Sequence, residues 1–136
     1  MKILFAPLLL CLLLSACSSK KDDPSTPTLV GTWTGVSVRF QADYTAPSYH
    51  DYDYTDKLTG NTLTFTADHK VTSVTPLSGT NTGTYAYNAP TLTLQYPTYT
   101  VSLKVVELKE ASLITSEIHQ DQSGTFTTTT TTTRSR

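Results

Sequence analysis

Thr62-Leu63-Thr64-Phe65-Thr66 puts Leu63 and Phe65 on one face of an extended chain and three threonines on the other. Thr91-Leu92-Thr93-Leu94-Gln95-Tyr96 repeats the device, and Tyr99, Val101, Leu103 and Val105 form a third stripe of the same period. Threonine, tyrosine and valine all suit a pleated, half-buried surface. Working outward from these segments, the alternation predicts strands at 31–41, 49–55, 61–67, 69–75, 82–88, 91–96, 98–108, 112–119 and 124–133. Turn signals separate them at short spacing: Thr59-Gly60-Asn61, Ala67-Asp68-His69-Lys70, Ser78-Gly79-Thr80-Asn81, Asn88-Ala89-Pro90, Tyr96-Pro97-Thr98 and Asp121-Gln122-Ser123-Gly124. No window carries a convincing 3.6-residue apolar period. Eight or nine short antiparallel strands predict an all-β fold, either a closed barrel or a sandwich.

The two ends of the chain read differently. At the C-terminus, Phe126 precedes seven consecutive threonines, 127–133, and then Arg134-Ser135-Arg136. β-Branched residues resist helix, and the turn at Gly124 sets up a hairpin with 112–119, so a final strand is preferred over a low-complexity tail. Threonine on both faces does little to specify its register. At the N-terminus, Lys2 is followed by an apolar run from Ile3 to Leu14, too short to span a bilayer, and then by Leu14-Ser15-Ala16-Cys17. This pattern resembles the lipobox of bacterial lipoproteins. The resemblance implies a signal peptide at 1–16, cleavage before Cys17 and acylation of Cys17 with palmitate-type chains. Each buried methylene would contribute about 0.8 kcal/mol to membrane attachment, so two or more chains hold firmly. Residues 17–28 carry Pro24 and Pro27 but no apolar side chain apart from the lipidated cysteine, and read as a linker. The domain proper is then 29–136.

Loss of Lys2 with the signal leaves 9 Lys+Arg against 11 Asp+Glu, a near balance that argues against a nucleic-acid partner. Cys11 leaves with the signal as well. With Cys17 committed to lipid, no disulfide or cysteine-based metal site is available, and sheet packing has to carry the stability. The run Cys17-Ser18-Ser19-Lys20-Lys21-Asp22-Asp23 lacks an Asp directly after the cysteine and resembles the Lys/acidic export signals of Bacteroidota lipoproteins. That resemblance implies the outer membrane, with display at the cell surface as one option.

Leu29-Val30-Gly31-Thr32-Trp33 opens the domain with Gly-x-Trp. Asn61 to Val71 follows, with Leu63, Phe65, Asp68, Lys70 and Val71 at matching places and His69 where a turn glycine is commoner; Gly83-Thr84-Tyr85 comes later. These elements are similar to lipocalins and the wider calycin barrels, and closest to the short lipocalin-like domains of Bacteroidota lipoproteins. The resemblance implies a small antiparallel β-barrel of about 8 strands, with Gly31 allowing a tight start and Trp33 plugging one end. It also implies an arginine packed over the indole. Arg134 lies at the right end of the chain for this, Arg39 is the rival, and a solvated Arg134 is the other reading.

An eight-stranded barrel is just wide enough to be filled by side chains or to hold one small molecule. The inward set expected from alternation (Val36, Val38, Phe40, Leu63, Phe65, Leu92, Leu94, Tyr96, Tyr99, Val101, Leu103 and Val105) is bulky, which predicts a small or partly filled pocket. Tyr85, Tyr87, Tyr96 and Tyr99, with Phe65, are the candidate ligand-binding residues, each tyrosine offering an apolar body and a hydroxyl. Their alternative role is ordinary sheet packing.

Catalytic chemistry finds little support. His50, His69 and His119 are scattered, with no pair at metal-ligand spacing, and neither Gly-x-Ser-x-Gly nor a phosphate-cradling glycine loop occurs. Tyr49-His50-Asp51-Tyr52-Asp53-Tyr54-Thr55-Asp56 is the densest polar–aromatic patch, with Asp51 and Asp53 on one face and His50, Tyr52 and Tyr54 on the other. It matches no calcium loop, though its aromatic face suits stacking on a sugar ring. No enzyme, metal or cofactor is therefore expected. The expected function is noncatalytic binding of a small apolar or amphipathic ligand, the alternative being a surface module that contacts glycan or a partner protein.

Overall fold

The computed structural model describes residues 27–45, 50–123 and 125–136. The signal segment 1–16, Cys17 and the linker through residue 26 lie outside the described residues, as do Tyr49 and Gly124. Among the described residues the regular structure is all strand: β1 (Gly31–Tyr44), β2 (Tyr52–Lys57), β3 (Thr62–Phe65), β4 (Lys70–Thr75), β5 (Gly79–Asn88), β6 (Thr91–Gln95), β7 (Thr100–Leu108), β8 (Ser112–Gln120) and β9 (Phe126–Ser135).

Each neighbouring pair is antiparallel, and β9 returns to β1, closing an eight-stranded barrel in the order β1-β3-β4-β5-β6-β7-β8-β9. Closure leaves the barrel strands without a free edge where they pair. Strand β2 stands outside this ring. It pairs with β1 over Ser37–Ala42, on the edge that β3 occupies lower down at Gly31–Thr34.

Threonine-rich alternation does what its period requires. Leu63 and Phe65 of β3, Leu92 and Leu94 of β6, and Leu103 and Val105 of β7 are buried, joined by Leu29, Trp33, Val71, Tyr96 and Leu113 in one core. Each such apolar side chain contributes about 1.5–3 kcal/mol on leaving water.

Two members of the expected inward set are corrected. Val36 is 47% exposed because β1 bulges between Gly35 and Ser37. One extra residue reverses the alternation, so Trp33 and Gly35 point inward before the bulge and Val38 and Ala42 after it. Tyr99, also 47% exposed, sits in the turn ahead of β7 rather than within a strand.

The threonine run forms a full strand. It pairs with β1 on one side and β8 on the other, with Thr132 between Val38 and Thr115, and Thr130 between Phe40 and Glu117. Non-threonine residues at its ends fix the register. Phe126 N–H donates to Asp121 Oδ1 at 2.9 Å and its ring lies 4.6 Å from that of Tyr44, while Arg134 and Arg136 anchor the other end.

Candidate functional site

The end of the barrel where β1 begins and β9 finishes is sealed. Trp33 is fully buried, and its Nε1–H donates to the Leu29 carbonyl at 2.8 Å. The cation over its ring is Arg136, at 4.6 Å from the centroid, in place of the expected Arg134 or its rival Arg39. Arg136 also donates to the carbonyls of Thr28, at 3.1 Å, and Val30, tying the segment ahead of β1 to the residue that follows β9. Arg39 is instead on the outer face, in a bidentate pair with Asp53. Gly31 has φ +135°, a backbone setting that side chains rarely adopt, and a Cβ there would strike the Arg136 guanidinium.

Above this plug the barrel holds an open-mouthed cavity of about 330 Å³, at the small end of the range of ligand pockets. Its wall is chiefly apolar, formed by Val38, Phe40, Leu58, Leu63, Leu94, Val101 and Leu103, with Thr115, Thr130 and Thr132 adding hydroxyls along one side. Tyr96 and Tyr99 also line it, their rings 4.8 Å apart. Burial pushes the Tyr96 phenol above its usual pKa, against the pull of a hydrogen bond with Ser73 and the charge of Arg134.

Of the candidate ligand-binding residues, Tyr85, Tyr87 and Phe65 do not line this cavity. Phe65 is fully buried in the core, edge-on to Tyr85 at 4.9 Å, and the Tyr85 hydroxyl donates to the Thr66 carbonyl at 3.0 Å. Tyr85 and Tyr87 pack against the core as sheet aromatics.

Arg134 has a different place from the one expected. It lines the cavity, part-buried, and its Nη1–H donates to Thr115 Oγ1 at 3.0 Å. Burial lowers its pKa to about 10, with Tyr96 acting the other way. Alternation gives the signal for this: counting by twos from an inward Phe126 reaches 128, 130, 132 and then 134. The strand runs on to Ser135, past the 133 expected from the threonine repeat, and so includes Arg134.

At the rim, the inner face continues onto β2. Tyr54 pairs with Phe40 and Tyr52 with Ala42, so both tyrosines share the face of a cavity-lining residue. Phe40 and Tyr54 stack at 5.2 Å, Tyr52 and Tyr54 lie 5.8 Å apart, and Tyr44 bridges toward Phe126. Tyr52 is 39% and Tyr54 48% exposed. Asp53 faces outward to Arg39, and Asp51 accepts from the Tyr44 backbone N–H at 2.8 Å. Among the described residues no three His, Cys, Asp or Glu side chains come together as a metal site.

A family model described as a lipocalin-like domain matches residues 29–133. No curated protein matches the chain. The family is in general a noncatalytic binding fold.

Proposed function

Since the chain belongs to the lipocalin-like domain family, we propose that it is a noncatalytic binding protein that takes a small apolar or amphipathic molecule into its barrel. The observation that carries this reading is the cavity of about 330 Å³ above Trp33, walled by aliphatic side chains and opening beside exposed tyrosines. A barrel filled by its own side chains would leave no such volume.

Titrating the purified protein with 1-octanol while following backbone amide resonances tests it. Saturable shifts at Leu94, Val101 and Thr132, with none at exposed Val106 or Ile118, are expected. Shifts that never saturate, or that scatter over the outer face, refute the reading.

The second part of the proposal is the address. Leu14-Ser15-Ala16-Cys17 supports cleavage before Cys17 and acylation there, holding the barrel at the outer membrane, with surface display as one option. Metabolic labelling with palmitate should mark the wild-type protein and not Cys17→Ser; an unlabelled wild type refutes it.

Exposure of Tyr52 and Tyr54 beside Phe40 favours a second reading, a surface module that stacks on glycan. Glycan-array binding lost in Tyr52→Ala and Tyr54→Ala would support it. No binding to any glycan would remove it.

A further inference from the structure

We infer that the molecule held in the cavity carries a carboxylate seated on Arg134, with its apolar part against Leu63, Leu94, Val101 and Leu103. The inference rests on the ligand-binding reading above and adds the chemical class of ligand to it.

A guanidinium set in a mostly apolar wall gives up hydration that a neutral hydroxyl replaces poorly. Among the described residues the one hydrogen bond of the Arg134 side chain is to Thr115 Oγ1 at 3.0 Å, and no carboxylate comes within ion-pair distance of it. Arg39, Lys70 and Lys109 have the carboxylate partners Asp53, Asp68 and Glu107, while Lys57, Lys104 and Arg136 have none but are exposed to water. Among the described residues Arg134 is the cation that lacks a carboxylate partner and is also set in the cavity wall.

Its remaining N–H groups are accessible, since no buried side-chain nitrogen or oxygen among the described residues lacks a partner and Arg134 forms part of the cavity wall. Guanidinium donors have a planar fork spacing that matches the two oxygens of a carboxylate. Thr132, the inward neighbour of Arg134 on β9, offers a further hydroxyl to the same oxygens. Glu117, the one carboxylate in the wall, is exposed and lies two residues beyond Thr115 along β8. It would repel an anion placed at the rim and favours one seated deep, at Arg134.

Isothermal titration of the purified protein with octanoate, 1-octanol and octylamine at neutral pH tests this. Octanoate should bind about 10- to 100-fold more tightly than 1-octanol, the worth of a charge-assisted hydrogen-bond pair, and octylamine least well. Arg134→Gln should erase the advantage of octanoate over 1-octanol measured within that variant, and Arg134→Lys should restore part of it. The wild-type series stands without any variant. If octanoate and 1-octanol bind equally to the wild type, the carboxylate inference falls and the ligand-binding reading survives. If none of the three binds, the ligand-binding reading itself falls.

Discussion

Replacing Arg136 with alanine should loosen the sealed end of the barrel and report on itself through Trp33. The side chain makes a cation–π contact at 4.6 Å and donates to the carbonyls of Thr28 and Val30. At an exposed position the ring contact contributes about 0.5–1 kcal/mol. Hydrogen bonds from a charged donor add a similar amount each once solvent competition is allowed for. The loss should come to about 2 kcal/mol, and for a domain of this size each kcal/mol moves Tm by about 4–8 °C. Trp33 is the only tryptophan in the chain, so urea unfolding followed by its emission reads stability and indole environment together. Arg136→Ala should lower the midpoint without changing the slope and shift the folded-state emission. Arg39→Ala, whose side chain sits on the outer face with Asp53, should leave that emission unmoved. A loss under about 0.5 kcal/mol, or an emission change in Arg39→Ala equal to that in Arg136→Ala, would refute the assignment of Arg136 as the cap.

Three other perturbations have signs that follow from local geometry. A Cβ added at Gly83 would run into the Gln95 backbone carbonyl across the β5–β6 pair, so Gly83→Ala should cost about 2–3 kcal/mol in urea unfolding. His69 holds φ +61° in the β3–β4 turn; relief of that strain outweighs the chain entropy of glycine, and His69→Gly should gain about 0.5 kcal/mol by thermal melting. Asp68 and Asp121 have carboxyls lowered to about 2, Asp68 chiefly by Lys70 and Asp121 chiefly by Ser123. Because the folded values lie below the ordinary one, their stabilisation is complete above about pH 4 and disappears as pH falls through about 2. The double variant Asp68→Asn/Asp121→Asn should flatten acid unfolding over that interval, and an unchanged acid limb would contradict the assignment.

The barrel was legible because its signal is local. Leu63 and Phe65, or Leu92 and Leu94, alternate with threonine inside one segment, and a two-residue period needs no knowledge of what lies across the strand. What escaped is long-range or depends on a single inserted residue. The bulge at Gly35–Ser37 turns Val36 outward with no warning in the hydrophobic pattern, since Val36 and Val38 look alike in sequence. The tyrosines of the site divide for a similar reason. Tyr85 in β5 and Tyr96 just after β6 both continue an alternating pattern, and only the three-dimensional position of the cavity puts Tyr96 in its wall while Tyr85 folds over Phe65. The arginines were confused because Arg134 and Arg136 share a face of β9, and two residues of rise decide which one reaches the indole.

That last point gives the seven-threonine strand a role as a ruler. Its members are interchangeable, so its only information is its length, measured between the Phe126 anchor and the two arginines. Removing one threonine would turn the Arg134 guanidinium to the outside of the wall. Removing two would keep it inside but displace it, and Arg136 with it, by about 7 Å, two strand rises, relative to Thr115 and Trp33. In this chain, counting the repeat is the same as aiming the charge.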